Sequence, residues 1–330
     1  MDENPATQNV SQQGLRGFFL ELTQHAKLFT SSRPDQSMRF VLPTEDGGSI
    51  RVVIPSTSNE DDISRFLHEG LSTLEWDQQT TALVHQRLAT GAKGMFLWAK
   101  LMLHHVREQV TLYDLTRALD ELPDGLDNVY ARILGAISKL PKAQANKVTK
   151  ALQWVYSSTR PLTLSEMKIA MAVEPGSSSL DGRRCLVNIH HFIATACAPL
   201  LVIHDPTETV RFAHASAFQY FHKLSSSPAT ELAIDDHLRL TLAQRVPYLA
   251  AVCFTYLAYD DIAYVDVGTS MDDYARNMEQ HLGEHEFLGY SVLNLWEHLP
   301  ACDAAVTRAP DSDLDKSLAR FFGAERGLVK

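Results

Sequence analysis

The sequence predicts a mainly α chain with a short α/β stretch near its start. Three observations predict it. From Trp76 onward, apolar residues recur at i, i+3 and i+4 in segment after segment. Turn and cap residues such as Pro123-Asp124-Gly125 and Arg160-Pro161-Leu162-Thr163 punctuate those segments. Clusters of β type are confined to residues 27–32, 50–54, 200–204 and 210–214.

The first 13 residues are polar and are expected to form a disordered tail, without the basic start and apolar run of a signal peptide. Gly14–Ala26 then places Leu15, Phe18, Phe19 and Leu22 on one helical face. Lys27–Ser32 (KLFTSS) reads as a strand ending at Arg33-Pro34, because proline stops a ladder. Ile50–Ile54 (IRVVI) reads as a second strand after the Gly47-Gly48 turn. Ser58–Asp61 supplies a polar cap and first-turn carboxylates for a helix carrying Ile63, Phe66, Leu67 and Leu71.

Helices are expected next at 80–88, 95–109, 111–122, 126–140, 142–158 and 164–173, and a longer one at 183–198. The segments LLVIH (200–204) and VRFAH (210–214) flank a turn at 205–209 and predict a hairpin. Three helices, a hairpin and a closing helix at 216–224 give the order of a winged helix. Ser225-Ser226-Ser227-Pro228 is the linker candidate, and helices follow at 231–257, 271–284 and 287–299, with a frayed tail from Arg308.

The chain has 330 residues, enough for two or three domains, and a formal net charge of −10. That charge argues against general binding to nucleic acid or anionic membrane. It is uneven: nine Lys/Arg against five Asp/Glu over 141–225, then eight against seventeen over 226–330. Cys185, Cys197, Cys253 and Cys302 lie far apart without a C-x-x-C pair. Free thiols in a reducing, cytoplasmic setting are therefore expected. No apolar stretch is long enough for a bilayer.

Eight short segments, read in order, resemble the NACHT class of STAND NTPases, most closely the fungal group that carries ankyrin or similar repeats. They are KLFTSSRP (27–34), NEDDISRF (59–66), GMFLWA (94–99), ALDELPDGLDNVYARIL (118–134), RPLTLSE (160–166), VRFAHASAFQYF (210–221), CFTYL (253–257) and FLGYSVLNLWEHL (287–299). The resemblance implies a division of the chain. Residues 14–75 are then the remnant α/β end of a P-loop NTPase core, 76–140 a small helical domain, 141–225 a winged helix and 226–307 a helical linker, with 308–330 as tail. It implies an NLR-like role in nonself recognition or cell-death signalling. It also places Arg33 at the family's sensor arginine and His214 at the winged-helix histidine that touches the ADP phosphate.

The phosphate machinery has no counterpart here. Nothing matches G-x-x-x-x-G-K-[ST], and Gly91–Gly94 (GAKG) has the wrong spacing. No acidic strand end precedes Arg33 to hold magnesium. The chain is expected to be no enzyme and to need no cofactor, with ATP or ADP entering only where a P-loop is supplied elsewhere. The expected partner is a protein or an NTPase core, with self-association through the open strands of residues 14–60 as a second mode. The alternatives are an NTPase completed by a missing P-loop region or by a partner, and a winged-helix regulator that binds DNA.

Other candidates have plainer readings. Pro161 and Met95–Trp98 match positions lining the core–helical boundary, which apolar packing explains. His281 and His285 stand at i, i+4 but lack a third ligand, and are expected to face solvent. His104-His105 and His190-His191 are adjacent and point apart on a helix. Asp260-Asp261 is expected in a solvated loop, and Asp272-Asp273 lacks a calcium-loop pattern. Lys168, Arg183 and Arg184 are the basic residues available for DNA, but the following CLVNIHHFIATACA run is too apolar for readout.

Overall fold

The computed structural model describes residues 5–31, 50, 52–226, 245–266, 270–298 and 312–325. The fold is mainly helical, and the described residues hold one sheet of two strands. Chain packing separates residues 1–61 from residues 62–330.

The first unit carries helix α1, Pro5–His25. It begins inside the stretch expected as a tail, with proline in the first turn where a missing amide costs nothing. Neither expected strand forms: residues 27–31 and residues 50 and 52–55 carry no ladder. A strand gains stability only from a neighbour, and none pairs here among the described residues. Phe29 is left 94% exposed, and Ile50, Val52, Val53 and Ile54 are exposed with it.

The second unit has two hydrophobic cores. A 3-10 turn at Ser56–Asn59 leads into α2, Glu60–Ser72, which buries Ile63, Leu67 and Leu71. In α3, Gln78–Ala92, the Asp77 carboxylate caps the amide of Thr80 at 2.9 Å. Helices α4, Phe96–Arg107, and α5, Leu112–Asp120, complete this core, α5 being capped by Thr111. The GAKG stretch is a connection between α3 and α4. Lys93 and Gly94 take positive φ, 47° and 78°, and Gly91 packs against the Trp98 ring. Trp98 is fully buried, and its indole donates to the Pro123 carbonyl at 2.9 Å, fastening the 123–125 turn over the core.

Helix α6, Gly125–Ser138, joins the two cores: Val129 belongs to the first, Tyr130, Leu134 and Ile137 to the second, and Leu126 and Ile133 touch both. Next come α7, Lys142–Ser157, and α8, Leu164–Ala172. The start of α8 is a capping box in which Thr163 and Glu166 satisfy each other's amides. The single helix expected at 183–198 is instead a 3-10 turn, Gly182–Arg184, and a short α9, Ile189–Thr195. Two separate caps cause the break: Asp181 accepts from the Arg183 amide and Asn188 from the His191 amide.

The hairpin is as expected. β1, Leu201–His204, pairs antiparallel with β2, Thr209–Phe212, in the register Leu201↔Phe212 to His204↔Thr209. Thr163 adds a bridge to Thr209, with the Val210 amide on the Leu162 carbonyl at 2.8 Å and the Leu164 amide on the Glu208 carbonyl at 2.9 Å. Helix α10, Ala215–Ser226, closes this segment over Tyr220, Phe221 and Leu224.

Beyond it, α11, Arg245–Leu257, is buried along Leu249–Tyr256. The first part of the helix expected at 231–257 lies outside the described residues, as does most of the linker candidate. Asp260-Asp261 opens a short helix, α12, Asp260–Ala263, and not a loop, since carboxylates suit a first turn. Then come α13, Met271–Glu284, and α14, Leu288–His298. The tail expected from Arg308 contains α15, Asp313–Glu325. This helix is docked: Leu314 and Ser317 are buried, Ser317 bonds Thr255 at 2.8 Å, and Phe321 meets the Phe254 ring at 5.3 Å. No helix of the described residues is long and apolar enough to cross a membrane.

Candidate functional site

His214 sits just after β2 and forms the N-cap of α10. Its Nδ1 lies 3.1 Å from the Ser216 amide and 2.7 Å from Ser216 Oγ. An amide can only donate, so Nδ1 is the acceptor and the ring proton resides on Nε2. The Ser216 hydroxyl then also donates to Nδ1 and accepts from Tyr130, whose hydroxyl is 2.8 Å away. Tyr130 is anchored in α6 against the Tyr220 ring at 5.4 Å. The exposed imidazole is thus held in one tautomer, with an N–H donor facing solvent at a helix start.

Arg33 lies outside the described residues, so the structure brings no second predicted residue to His214. Pro161 and Phe96 are exposed, whereas Met95, Leu97 and Trp98 pack as expected, with Trp98 in the first core. His281 departs from expectation: it is buried, and its Nε2–H donates to the Ile262 carbonyl at 3.0 Å. The His285 ring lies beside it at 4.4 Å, making the pair a packed contact. The described residues hold no group of three or more side chains arranged for a metal ion.

His104 points outward toward Glu108, while the half-buried His105 is lowered, first by burial and then by Arg132. His190 and His191 are exposed on α9. The basic residues considered for DNA are engaged within the chain: Arg183 pairs with Asp181 at 2.9 Å and Arg184 with Glu174 at 2.7 Å. Lys168 is half-buried, and the hairpin turn exposes Asp205 and Glu208. Like charge there opposes a phosphate backbone. Cys197 and Cys253 are buried thiols pushed up to about 12, protonated and unreactive at neutral pH.

A polar seam between the 158–166 turn and α14 was missed by sequence reading. Arg160 grips Glu166 through two bonds of 2.8 and 2.6 Å, and its guanidinium lies 5.1 Å over the Tyr290 ring. The Tyr290 hydroxyl accepts from the Thr159 amide at 3.4 Å and shares a hydrogen bond of 3.0 Å with His298 Nε2. Thr159 also bonds Asn294. His298 is only 2% exposed and pushed down to about 4, because burial disfavours the imidazolium. The available signal was weak: Tyr290 and His298 are eight residues apart, two turns of one helix, and their partner Thr159 is 131 residues away from Tyr290.

No family model matches the chain, and neither a curated protein nor a solved structure matches it.

Proposed function

We propose that the chain is a non-catalytic regulatory and protein-binding segment of a NACHT-type STAND signalling protein, acting in nonself recognition or cell-death signalling. One observation carries the reading. Residues 142–226 run helix, bridged residue, helix, short helix, hairpin, helix, and Thr163 crosses to the hairpin at Thr209 as a third short strand. We read this order as that of a winged helix, the module that in the class it resembles reports nucleotide state to the rest of the chain.

Two features support the assignment of roles. The position that resembles the nucleotide-sensing histidine, His214, is exposed and pre-oriented by Ser216 and Tyr130. The helices after the winged segment form one core with it, through Trp154 against Phe287 and Tyr290 at 5.6 and 5.9 Å. Movement of the winged segment is therefore carried into α11 and α14. Nucleotide enters this scheme only with a P-loop core on another polypeptide or segment, with His214 facing it and Arg33 assigned a role by resemblance alone. The partner is such a core or another signalling protein, and the exposed apolar residues near 50–54 offer a second contact.

Steady-state phosphate release from ATP with magnesium tests the claim. The purified chain is expected to release none above the buffer rate. Turnover that persists after removal of contaminating ATPases and is lost in His214→Ala would overturn it.

A further inference from the structure

Helix α13, Met271–Glu284, carries Met271, Tyr274, Met278 and Leu282 at intervals of three, four and four residues. That spacing draws one apolar stripe along the helix, within an arc of about 80° at 3.6 residues per turn. In an ordinary surface helix such a stripe faces the core. Here Met271 is 79% exposed, Leu282 44% and Tyr274 36%, and Met278 is partly exposed. The buried side chain of this helix is His281, tied to the Ile262 carbonyl near its C-terminal end. The helix is thus held by His281 and, at mid-length, by Asn277, whose side-chain amide donates to the Asp266 carbonyl at 3.0 Å, and it turns the stripe outward, most fully at Met271 and Leu282.

The stripe lies in the most acidic part of the described chain. Residues 260–298 hold nine carboxylates against one arginine, Arg276. On the helix itself, Asp272, Glu279 and Glu284 are exposed, and Asp273 is half-exposed. An apolar stripe bordered by carboxylates has the chemistry of one half of a heterotypic helix pair, in which apolar side chains supply burial and flanking charges choose the partner. A second copy of α13 would set carboxylate against carboxylate, and an anionic bilayer would be repelled in the same way.

We infer that α13 is the docking site for a cationic amphipathic helix of a partner protein, with apolar residues at heptad spacing and Lys or Arg beside them. This deepens the protein-binding part of the reading above and rests on that part alone. It is independent of nucleotide. A failed docking test with absent ATP turnover therefore removes α13 as the contact and leaves the rest of the reading intact.

Fluorescence anisotropy of two labelled 21-residue peptides against the full chain tests it. Both peptides carry Leu at positions a and d of three heptads, with Lys at e and g in one and Glu in the other. The lysine peptide is expected to bind at least tenfold more tightly. Met278→Asp, an exposed-stripe change that leaves the far-ultraviolet circular dichroism unaltered, is expected to weaken it at least tenfold. The double variant Glu279→Lys, Glu284→Lys is expected to shift preference toward the glutamate peptide, which keeps the test decisive should Met278→Asp misfold. Equal affinity for both peptides, or lysine-peptide binding indifferent to both variants, overturns the inference. Self-association of the chain, or binding to phosphatidylcholine vesicles, that is lost in Met278→Asp overturns it in favour of a second copy or a lipid surface.

Discussion

Acidification should weaken the chain through His298 by an amount that the structure sets. The imidazole is buried at the end of α14, 3.0 Å from the Tyr290 hydroxyl, whose oxygen also receives the Thr159 amide. Burial there disfavours the charged imidazolium. Burial holds the folded group at about 4, against 6.5 when unfolded. Above pH 6.5 both states are neutral and His298 contributes nothing to pH dependence. As pH falls from 6.5 toward 4 the unfolded state takes up the proton and the native state does not, so stability declines. The linkage relation gives a loss of roughly 2–3 kcal/mol by pH 4.5, approaching roughly 3–4 kcal/mol well below pH 4. Urea unfolding followed by the fluorescence of the chain's four tryptophans at pH 7.5, 6.5, 5.5 and 4.5 measures it. His298→Gln retains an acceptor for Tyr290 and cannot titrate, so the difference between the two pH profiles isolates this one group. His105, also lowered by burial, titrates in both proteins and cancels. Identical pH slopes for wild type and His298→Gln would refute the reasoning.

Three further outcomes follow from local structure. Thr163→Ala removes the capping-box acceptor of α8 and should cost about 1 kcal/mol in urea unfolding; no change would mean the box contributes nothing to stability. Gly91→Ala would favour a helix elsewhere, but here the added Cβ falls 2.4 Å from the Trp98 ring. A loss of about 1–3 kcal/mol is expected, read as a lower thermal midpoint, and a gain would contradict the packing. Amide hydrogen exchange should be fastest at 27–31 and 52–55, which carry no ladder, and slowest in α7 and α11, which bury Val148, Leu152 and Trp154 and Leu249–Tyr256. Equal protection of these segments would make the first unit a complete fold.

The helices were legible because their signals are local. Asp77, Thr111 and Thr163 cap the helices they precede, and the apolar spacing from Ile63 to Leu295 selects the buried faces. The hairpin was legible for the same reason, as two β-rich runs with a turn between them. Failures came where the deciding contact is remote. Residues 27–31 and 52–54 have strand composition, but composition supplies no pairing strand. The break at 185–188 is the exception, since its caps, Asp181 on the Arg183 amide and Asn188 on the His191 amide, are local. Residues 313–325 read as a tail although Leu314, Leu318 and Phe321 recur at helical spacing, and Thr255 and Phe254, about sixty residues earlier, show what that face packs against. His214 was singled out by resemblance alone, and its hydrogen bonding to Ser216 and, beyond it, Tyr130, 86 residues from Ser216, could not be read from the sequence.

The central claim is that this chain reports on nucleotide held elsewhere and has no phosphate cradle of its own. Calorimetric titration of the full chain with ATP and with ADP, each with and without magnesium, tests it most directly. The account predicts no saturable heat at ligand concentrations up to about a hundred micromolar, since backbone amides of a phosphate loop and its lysine supply the main phosphate contacts in P-loop proteins. A low-micromolar Kd for either nucleotide, abolished by His214→Ala, would contradict it.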